Sequence, residues 1–435
     1  MPNSGRSGLI AQVGHDFMTL NDSIRYVDDT LYCDGVPLSE VIARVGTPVY
    51  VYSLPRILSN LARIQDGFAE LAPHIHYSAK ANANLTVLKT VIDAGVGIDV
   101  VSKGEFYRAL VAGAKGENIV FAGVGKRADE IKFALEKEVG WFNVENVPEL
   151  QIINDLAESL GIGNVRVALR LNPEITANTH PYIATGHGAA KFGLTADVIY
   201  DVLQRQADYP NINFAGLHVH IGSQLRDVTA TVHAVNAATA LMQPHDNLQT
   251  LNIGGGLPVR YKHDDEIPDY AAFAAVLKPH LADYQVILEP GRSVVADVGV
   301  LLTELLYVKA QAGQTFYIVD ASMTELMRPA LYQAHHEIVP VSVNHGEIQS
   351  VQVVGPVCET TDVLGWDVML PTVEAGTYFA LLTVGAYGMV MANTYNARPR
   401  PAEVAVHAGG QSWSIIRDRE TFEDLFASEI DALNG

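Results

Sequence analysis

The sequence is poor in cysteine and in positive charge, and each shortage excludes a class of protein. Its 435 residues contain only two cysteines, Cys33 and Cys358. Two cysteines are too few for a disulfide framework or a cysteine-based zinc site, so we expect a cytoplasmic protein. Lysine and arginine number 29 against 49 acidic residues, which gives a net charge of −20. We therefore expect no binding to nucleic acid or to anionic membranes, since both require concentrated basic residues.

Long apolar runs are also missing. The longest apolar stretch, residues 293–308, is interrupted by Asp297 and Glu304, so we expect no membrane-spanning helix. The first twenty residues lack a basic segment followed by an apolar block, and we expect no secretory signal. Hydrophobic residues make up 48% and charged residues 18% of the chain. These fractions are typical of a globular protein with an ample core, and the length suggests two domains.

From residue 74 to about residue 302, strand-like segments alternate with amphipathic helical segments. The predicted strands lie at 74–79, 97–101, 118–122, 141–144, 165–171, 212–221, 251–253 and 285–288. Eight β-then-α units in about 230 residues are typical of a (β/α)8 barrel. The alternative, a doubly wound sheet, usually has fewer strands and a glycine fingerprint after the first one. We therefore predict an α/β fold in which residues 47–302 form a TIM-like barrel.

After Leu302 the pattern changes to short alternating runs, interrupted by two predicted helices at 324–332 and 420–433. Such a pattern is typical of a mostly-β domain, either a sandwich or a small barrel. We expect residues 1–46 to join residues 303–435 in this second domain. The (β/α)8 barrel would then be inserted between two parts of a β domain.

Reactive side chains gather at the ends of the predicted barrel strands. Lys80 follows the first strand, where apolar residues give way to the small polar segment SAKANAN. A lysine at the mouth of a strand, with glycine and acid motifs on later strands, is suited to holding a cofactor covalently. Asp99 ends the second strand and could orient the cofactor ring or the lysine. Alternatively, Ser102 and Glu105 have the spacing of a capping box, which could be all that this segment does.

The sixth predicted strand ends in two histidines, His218 and His220. Because side chains alternate along a strand, both should point into the barrel. Their spacing could ligate a metal, but no third ligand is evident, so we predict no metal site. A flat imidazole stacked on an aromatic cofactor is the better interpretation of His220.

The last two strand ends are suited to binding an anion and a cationic ring. Three successive glycines follow strand seven and expose backbone N–H groups to which a phosphate could come close, although ordinary turns use such triplets too. Strand eight ends in a carboxylate beside a tight turn and an arginine, which offers partners for a protonated ring nitrogen and for a phosphate or carboxylate. The candidates here are Gly254, Gly255, Gly256, Glu289, Pro290, Gly291 and Arg292.

The predicted β domain carries three further candidate motifs. Cys358 precedes Glu359 in a loop, and its thiol could be a proton donor rather than the small buried hydrophobe that a lone cysteine usually is. Arg328 and Tyr332 are spaced to share one helix face, as in a surface ion pair or a binding site. Tyr387 follows an apolar strand and could offer its hydroxyl to a phosphate or simply pack in a turn.

Taken together, these segments resemble the fold-type III pyridoxal-phosphate decarboxylases, and within them the enzymes that act on diaminopimelate. The resemblance covers residues 47–404 and rests on SAKAN at 78–82, HIGSQ at 220–224, GGG at 254–256, EPGR at 289–292, RPALY at 328–332, CETTD at 358–362 and GAYG at 385–388. Residues 179–183, 185–186 and 191–193 are similar to the loop that follows the fifth strand in that subfamily.

The resemblance implies a role for each motif. Lys80 would hold pyridoxal 5'-phosphate covalently, Glu289 would keep the pyridine nitrogen protonated, and His220 would stack on the ring. The other cofactor-binding residues would be Asp99, Gly254, Gly255, Gly256, Pro290, Gly291, Arg292 and Tyr387. The substrate-binding residues would be Arg292, Arg328, Tyr332, Glu359 and Tyr387. Cys358 of a second subunit would donate a proton, which implies a homodimer with shared active sites.

The implied reaction is the decarboxylation of meso-2,6-diaminopimelate to L-lysine and CO2. A carboxylate at the ring nitrogen preserves a strong electron sink, so Glu289 favours decarboxylation over racemisation. Arg328 could bind the distal carboxylate of the substrate bidentately, while Glu359 binds the distal ammonium. The alternatives are a decarboxylase of ornithine, arginine or carboxynorspermidine, a racemase, and a relative without catalytic activity.

Overall fold

The structure is a computed structural model of the chain and describes residues 21–175, 191–262 and 264–434. The resembling segments at 179–183 and 185–186 lie outside these residues. The strands are β1 (Ile24–Val27), β2 (Thr30–Cys33), β3 (Val36–Pro37), β4 (Val49–Ser53), β5 (His74–Ser78), β6 (Gly97–Val100), β7 (Ile119–Phe121), β8 (Trp141–Val144), β9 (Val165–Leu171), β10 (Ile212–Val219), β11 (Thr250–Asn252), β12 (Gln285–Leu288), β13 (Gly299–Gln311), β14 (Gln314–Val319), β15 (Ile338–Pro340), β16 (Ile348–Val354), β17 (Val363–Pro371), β18 (Tyr378–Leu381), β19 (Ala402–Val406) and β20 (Trp413–Arg417). The helices are α1 (Leu38–Val45), α2 (Leu54–Gly67), α3 (Leu85–Asp93), α4 (Lys103–Val111), α5 (Ala128–Glu136), α6 (Val147–Leu160), α7 (Ala196–Gln204), α8 (Thr229–Met242), α9 (Tyr270–Leu281), α10 (Arg292–Val295), α11 (Arg328–Tyr332) and α12 (Phe422–Asn434).

The chain divides into two compact units. The barrel unit comprises Ile57–Val259 and Glu266–Val295, and the β unit comprises the described residues up to Arg56, the segment Arg260–Asp265 and those from Ala296 onward. Strand β4, which the sequence analysis placed with the barrel, pairs with β13 and β19 and so belongs to the β unit. In the part of the chain that the structure describes, no helix combines the length and apolar character needed to cross a bilayer.

The barrel unit contains a closed ring of parallel strands in the order β5-β6-β7-β8-β9-β10-β11-β12, with β12 pairing with β5. The predicted (β/α)8 barrel is therefore confirmed. Local signals explain why helices separate the strands, as α6 illustrates. Asn146 caps its first turn by accepting a hydrogen bond from the Glu149 amide (2.9 Å), Pro148 lies at its start, and Gly161 ends it with a left-handed φ of 67°.

The interior of the barrel changes from apolar to polar along the strands. A buried apolar cluster lies toward their amino ends and consists of Val120, Trp141, Ala168 and Ile287. Because successive side chains alternate between the two faces of a strand, the next inward positions lie two residues further on. On β8, on β9 and just after β12, these positions are Asn143, Arg170 and Glu289, all buried. The carboxyl end of the barrel, where (β/α)8 enzymes carry their sites, is therefore lined with polar groups.

The β unit is built on a nine-stranded sheet with the main order β17-β16-β14-β13-β4-β19-β20 and with β18 and β15 branching from β13. A separate sheet of β1, β2 and β3 also belongs to this unit. The predicted mostly-β second domain formed from both ends of the chain is therefore confirmed. The predicted helix at 324–332 is reduced to α11, and the predicted helix at 420–433 corresponds to α12. Residues 323–325 form only a single turn, in which the Ser322 amide and hydroxyl both donate to the Glu325 carboxylate (2.7 Å each).

Candidate active site

Lys80 lies directly after β5, on a single 3-10 turn, and its side chain is exposed. Local hydrogen bonds fix this turn. The Tyr77 hydroxyl donates to the Asn82 carbonyl (2.9 Å), and the Asn82 side-chain oxygen accepts from the Asn84 amide (3.0 Å). The Asn84 side chain in turn accepts from the Thr86 amide (2.9 Å) and caps α3. The sequence SAKANAN is thus a strand end, a turn and a helix start that present one lysine.

Glu289 is buried just after β12 and is clamped by two amides from other strands. Its Oε1 accepts hydrogen bonds from Asn143 Nδ2 (2.9 Å) and from Asn252 Nδ2 (2.5 Å). Because β8 and β12 are on opposite sides of the ring of strands, the bond from Asn143 crosses the barrel interior. Its Oε2 lies 3.5 Å from Nε2 of His218. This geometry distinguishes the two oxygens, with both amides on Oε1.

Burial sets the protonation of both acids at this end of the barrel. Burial, with a smaller contribution from Asp99, raises the pKa of Glu289 to about 8. Burial also raises the pKa of Asp99, and the positive charge of nearby Lys80 opposes that rise. The Ser78 hydroxyl donates to Asp99 Oδ2 (2.6 Å), whereas Oδ1 is buried without a hydrogen-bond partner among the described residues. Glu289 therefore retains a proton at neutral pH when no cationic ring is present.

The two histidines of the sixth barrel strand are neutral. Burial is the main cause that lowers the pKa of His218 and of His220 well below the ordinary value, and Lys80 contributes to the shift at His220. Among the described residues, neither ring nitrogen of His218 has a hydrogen-bond partner. His220 lies at the end of the strand and is only partly buried. The sequence placed both histidines on the interior face, and the contact between His218 and Glu289 agrees with that placement.

The glycine triplet forms a turn that packs against both His220 and Glu289. Gly254 has a left-handed φ of 66°, and a Cβ there would lie 2.5 Å from His220 Nδ1. A Cβ on Gly255 would lie 2.2 Å from the Glu289 carbonyl oxygen. The Gly255 amide donates to His220 Nδ1 (3.3 Å). Side chains are excluded from this turn, so the backbone itself lines the site.

The segment after β12 is tied to the ends of two other strands. The Ser78 amide donates to the Pro290 carbonyl (3.1 Å), and a Cβ on Gly291 would lie 2.9 Å from Ser78 Cβ. Arg292 begins α10 and is buried, and its Nε donates to the Ser223 hydroxyl (3.1 Å). The predicted candidates of the barrel unit, from β5, β6, β10, β11 and β12, therefore lie at one end of one barrel.

Two buried ion pairs that no sequence motif predicts lie beside this site. Glu145 Oε1 lies 2.5 Å from Arg170 Nη1, and its Oε2 accepts from the Gly193 amide (2.9 Å). Lys126 donates to Glu149 Oε1 (2.6 Å) and to two backbone carbonyls. No motif marks these residues. Only the inward register of β9 could have pointed to Arg170.

The remaining predicted candidates lie in the β unit. Arg328 begins α11 and is buried, and Tyr332, at the end of the same helix, is partly exposed. The guanidinium carbon of Arg328 lies 4.7 Å from the centre of the Tyr261 ring, and its Nη1 lies 2.8 Å from His336 Nε2. This arrangement replaces the surface ion pair that was one interpretation of the helix.

Cys358 and Glu359 lie in an exposed loop after β16. Because Cys358 is exposed, it is not the small buried hydrophobe that was one interpretation of this residue. The Cys358 amide donates to Asn396 Oδ1 (3.1 Å), and the Tyr395 hydroxyl donates to Glu359 Oε1 (2.7 Å). Tyr387, elsewhere in this unit, has a left-handed φ of 58°, an uncommon conformation for a tyrosine that often accompanies a functional position.

Comparison with known proteins gives the family. Residues 54–296 match the family model described as pyridoxal-dependent decarboxylase, pyridoxal binding domain. The chain belongs to the pyridoxal-dependent decarboxylase family. It is 40% identical over 410 residues to the diaminopimelate decarboxylase of Neisseria meningitidis serogroup A, an alignment that covers 93% of this chain and 100% of that protein.

Solved structures of similar proteins extend across both units of this decarboxylase. Diaminopimelate decarboxylase from Helicobacter pylori complexed with L-lysine has a TM-score of 0.86 and 38% identity, covering 91% of this chain and 100% of that one. The M. jannaschii diaminopimelate decarboxylase in co-complex with L-lysine has a TM-score of 0.88 and 35% identity, covering 95% and 98%.

The cofactor of a pyridoxal-dependent decarboxylase is pyridoxal 5'-phosphate, and the barrel end fits it. Lys80 supplies an amine, Glu289 a buried acid that retains its proton at neutral pH, and the triplet at 254–256 a cradle that side chains would fill. Asp99 Oδ1 and both nitrogens of His218 are buried polar atoms without partners in the described chain, as expected where a polar group is to be bound.

Proposed function

We propose that this chain uses pyridoxal 5'-phosphate to remove one carboxylate from meso-2,6-diaminopimelate and to release CO2 and L-lysine. The observation that carries the proposal is the amide-clamped, buried carboxyl of Glu289 at the barrel end that also presents Lys80. The reaction would be the last step of lysine biosynthesis. Because Cys33 and Cys358 are both free thiols, we place it in the cytoplasm.

The barrel unit would hold the cofactor through several groups with separate tasks. Lys80 would hold the cofactor covalently through its amine. The neutral ring of His220 would stack on the cofactor ring. Asp99 would orient the cofactor ring or Lys80. The phosphate would be bound at Gly254, Gly255, Gly256, Pro290, Gly291 and Arg292, and Tyr387 of the β unit would be a further phosphate ligand.

Glu289 accounts for the type of reaction. Its Oε1 accepts two amide N–H groups, so the proton of the carboxyl is on Oε2. Glu289 can therefore supply a proton from Oε2 to the ring nitrogen of the cofactor and balance the resulting positive charge. When bound, pyridoxal phosphate supplies the electron sink for the pair left by the departing CO2. This pairing favours loss of CO2 over racemisation.

The β unit would supply the groups that recognise the far end of the substrate. Diaminopimelate carries an ammonium and a carboxylate there, whereas ornithine carries only an ammonium. Arg328 is a buried guanidinium, which suits a bidentate contact with a carboxylate, and Tyr332 lies on the same helix. Arg292, from the barrel unit, would be a further substrate contact. Glu359 would bind the distal ammonium. Ornithine has no distal carboxylate for a buried arginine to bind, so diaminopimelate matches these residues better than ornithine does.

The proposal is tested by measuring CO2 release from purified protein supplied with pyridoxal phosphate. We expect meso-diaminopimelate to release CO2 with an equimolar amount of L-lysine. Ornithine, arginine and carboxynorspermidine should react at least about a hundredfold more slowly, since each lacks a group that the site is built to bind. Faster release from any of these three would replace the proposed substrate, and no release from all four would indicate a relative without decarboxylase activity.

We further propose that the enzyme is a homodimer whose active sites are shared between subunits, with Cys358 of the partner donating the proton that replaces CO2. The thiol of Cys358 is exposed and its loop is held by Asn396 and Tyr395, which suits a group that is presented outward. Such a site would be completed only when two chains associate.

Sharing of the site is tested by mixing two inactive variants, Lys80→Ala and Cys358→Ala, under conditions that allow subunits to exchange. We expect recovery of about a quarter of the wild-type activity, because random pairing makes half of the dimers mixed and each has one intact site. Light scattering gives the mass of the mixture. If the activity of the mixture only equals the sum of the activities of the two variants measured separately, each site is built from one chain.

A further inference from the structure

The guanidinium of Arg328 is held by a histidine that no motif of the sequence analysis included. Nη1 of Arg328 lies 2.8 Å from Nε2 of His336. The Tyr261 ring packs against both, with its centre 4.7 Å from the guanidinium carbon and 5.5 Å from the imidazole centre, edge to face at 89°. All three side chains are buried, with relative exposures of 7%, 2% and 8% for Arg328, His336 and Tyr261. The arginine therefore has a defined orientation.

The partners of His336 determine its protonation. Its Nδ1 lies 2.9 Å from the Leu382 carbonyl oxygen. A carbonyl oxygen only accepts hydrogen bonds, so Nδ1 carries the proton. A guanidinium only donates hydrogen bonds, so Nε2 of His336 is the acceptor and has no proton. The ring is the neutral Nδ1-H tautomer, fixed at both nitrogens.

A neutral acceptor orients an arginine without neutralising it. A carboxylate at the place of His336 would form an ion pair with Arg328 and would compete with a carboxylate of the substrate. The imidazole accepts one N–H and adds no negative charge. Arg328 is thus aligned, and its charge is not cancelled by His336.

We propose that His336 is a positioning residue that orients Arg328 toward the carboxylate at the far end of the substrate, and that this pair gives the enzyme its preference for substrates with such a carboxylate. The proposal rests on the proposed function, in which Arg328 binds that carboxylate. It assigns no contact between His336 and the substrate. Loss of His336 should therefore weaken the binding of ligands that have a carboxylate at the far end, and should leave the binding of ligands without one unchanged.

Two amines, one with a carboxylate at the far end and one without it, distinguish these two kinds of ligand. L-lysine, the product, retains the carboxylate of the far end, and cadaverine is the same diamine without it. Their dissociation constants are measured by calorimetry on the protein loaded with cofactor, for wild type and for His336→Phe. We expect the dissociation constant of L-lysine to rise about 10- to 100-fold, as for loss of a charge-assisted contact, and that of cadaverine to change less than about twofold. The KM for meso-diaminopimelate should rise in parallel with the value for L-lysine, while kcat changes little.

Two further variants control for folding and for position. His336→Gln keeps an acceptor that can reach Arg328, so it should recover most of the affinity for L-lysine. His335→Gln changes the neighbouring exposed histidine, which pairs with Glu337 (3.0 Å), and should match wild type. Thermal unfolding of each variant shows that it is folded.

The outcomes distinguish the inference from the proposed function. Equal loss of L-lysine and cadaverine binding, or no loss of either, overturns the positioning role of His336. Failure of wild-type protein to bind L-lysine overturns it as well. Wild-type protein that binds L-lysine and loses it in His336→Phe, yet releases no CO2 from meso-diaminopimelate, keeps the positioning role and rejects the proposed reaction.

Discussion

Replacing Lys80 by alanine is expected to lower kcat for CO2 release by at least about four orders of magnitude, because the proposed covalent attachment of cofactor requires this amine. The fold should survive, since the side chain is exposed and its turn is fixed by Tyr77, Asn82 and Asn84. The measurement is CO2 release at saturating substrate. Borohydride reduction of wild type followed by peptide mass analysis should locate the attached cofactor at Lys80.

Lys89→Ala provides the matched control for this variant. Lys89 is an exposed lysine on α3, the helix that follows the same strand, where it pairs with Asp93 (2.9 Å). Its loss should leave activity and cofactor attachment unchanged. Wild-type turnover by Lys80→Ala, or reduced cofactor found on another lysine, would contradict the assignment of Lys80 as the attachment site.

Replacing Glu289 by glutamine is expected to lower kcat by about two to three orders of magnitude, in the range typical of losing one proton-transfer group. The amide oxygen can still accept from Asn143 and Asn252, so the clamp and the fold are retained. It has no acidic proton to give to the ring nitrogen. Single-turnover CO2 release separates this step from product release. Asn252→Leu, which removes one clamp donor and keeps the acid, should lose less activity than Glu289→Gln.

The same substitution has a second effect, on the pH dependence of stability in cofactor-free protein. Burial raises the pKa of Glu289 from an ordinary 4.5 to about 8, so the folded state binds this proton more tightly than the unfolded state. The stabilising contribution is complete below pH 4.5 and is lost as the pH rises from there through about 8, with a total on the order of 5 kcal/mol. Urea unfolding at pH 5 and pH 9 should show this loss in wild type and not in Glu289→Gln. Superimposable pH profiles would contradict the proton assignment.

The barrel could be predicted because its signals are local. Each strand and helix of the alternation is marked by its own periodicity and caps, as Asn146 and Gly161 mark α6. The place of β4 could not be predicted in this way. Val49 pairs with Leu302 on one side and with Ala402 on the other, and nothing near residue 49 specifies partners so distant in sequence.

The same distinction between local signals and distant partners applies to the residues of the candidate site. Residues that follow their own strand, such as Lys80 and Glu289, were visible in the sequence. Asn143 was not, because it is 146 residues from Glu289 and meets it only across a closed barrel. His336 was missed for a related reason: its role depends on the Leu382 carbonyl, 46 residues away, which fixes its tautomer. Periodicity identifies the face of a strand and does not identify the partner on the opposite side.

The insertion of the barrel between parts of the β unit constrains how the chain folds during translation. All five residues of β4 are buried in the finished sheet, and their neighbour β19 begins at Ala402. About 350 residues separate the two strands, so at typical rates of synthesis β19 leaves the ribosome roughly 20 to 70 s after β4. The barrel strands become complete well before then. A nascent chain therefore carries an apolar strand without its final neighbour beside a finished barrel, and this is the stage at which chaperone protection matters most.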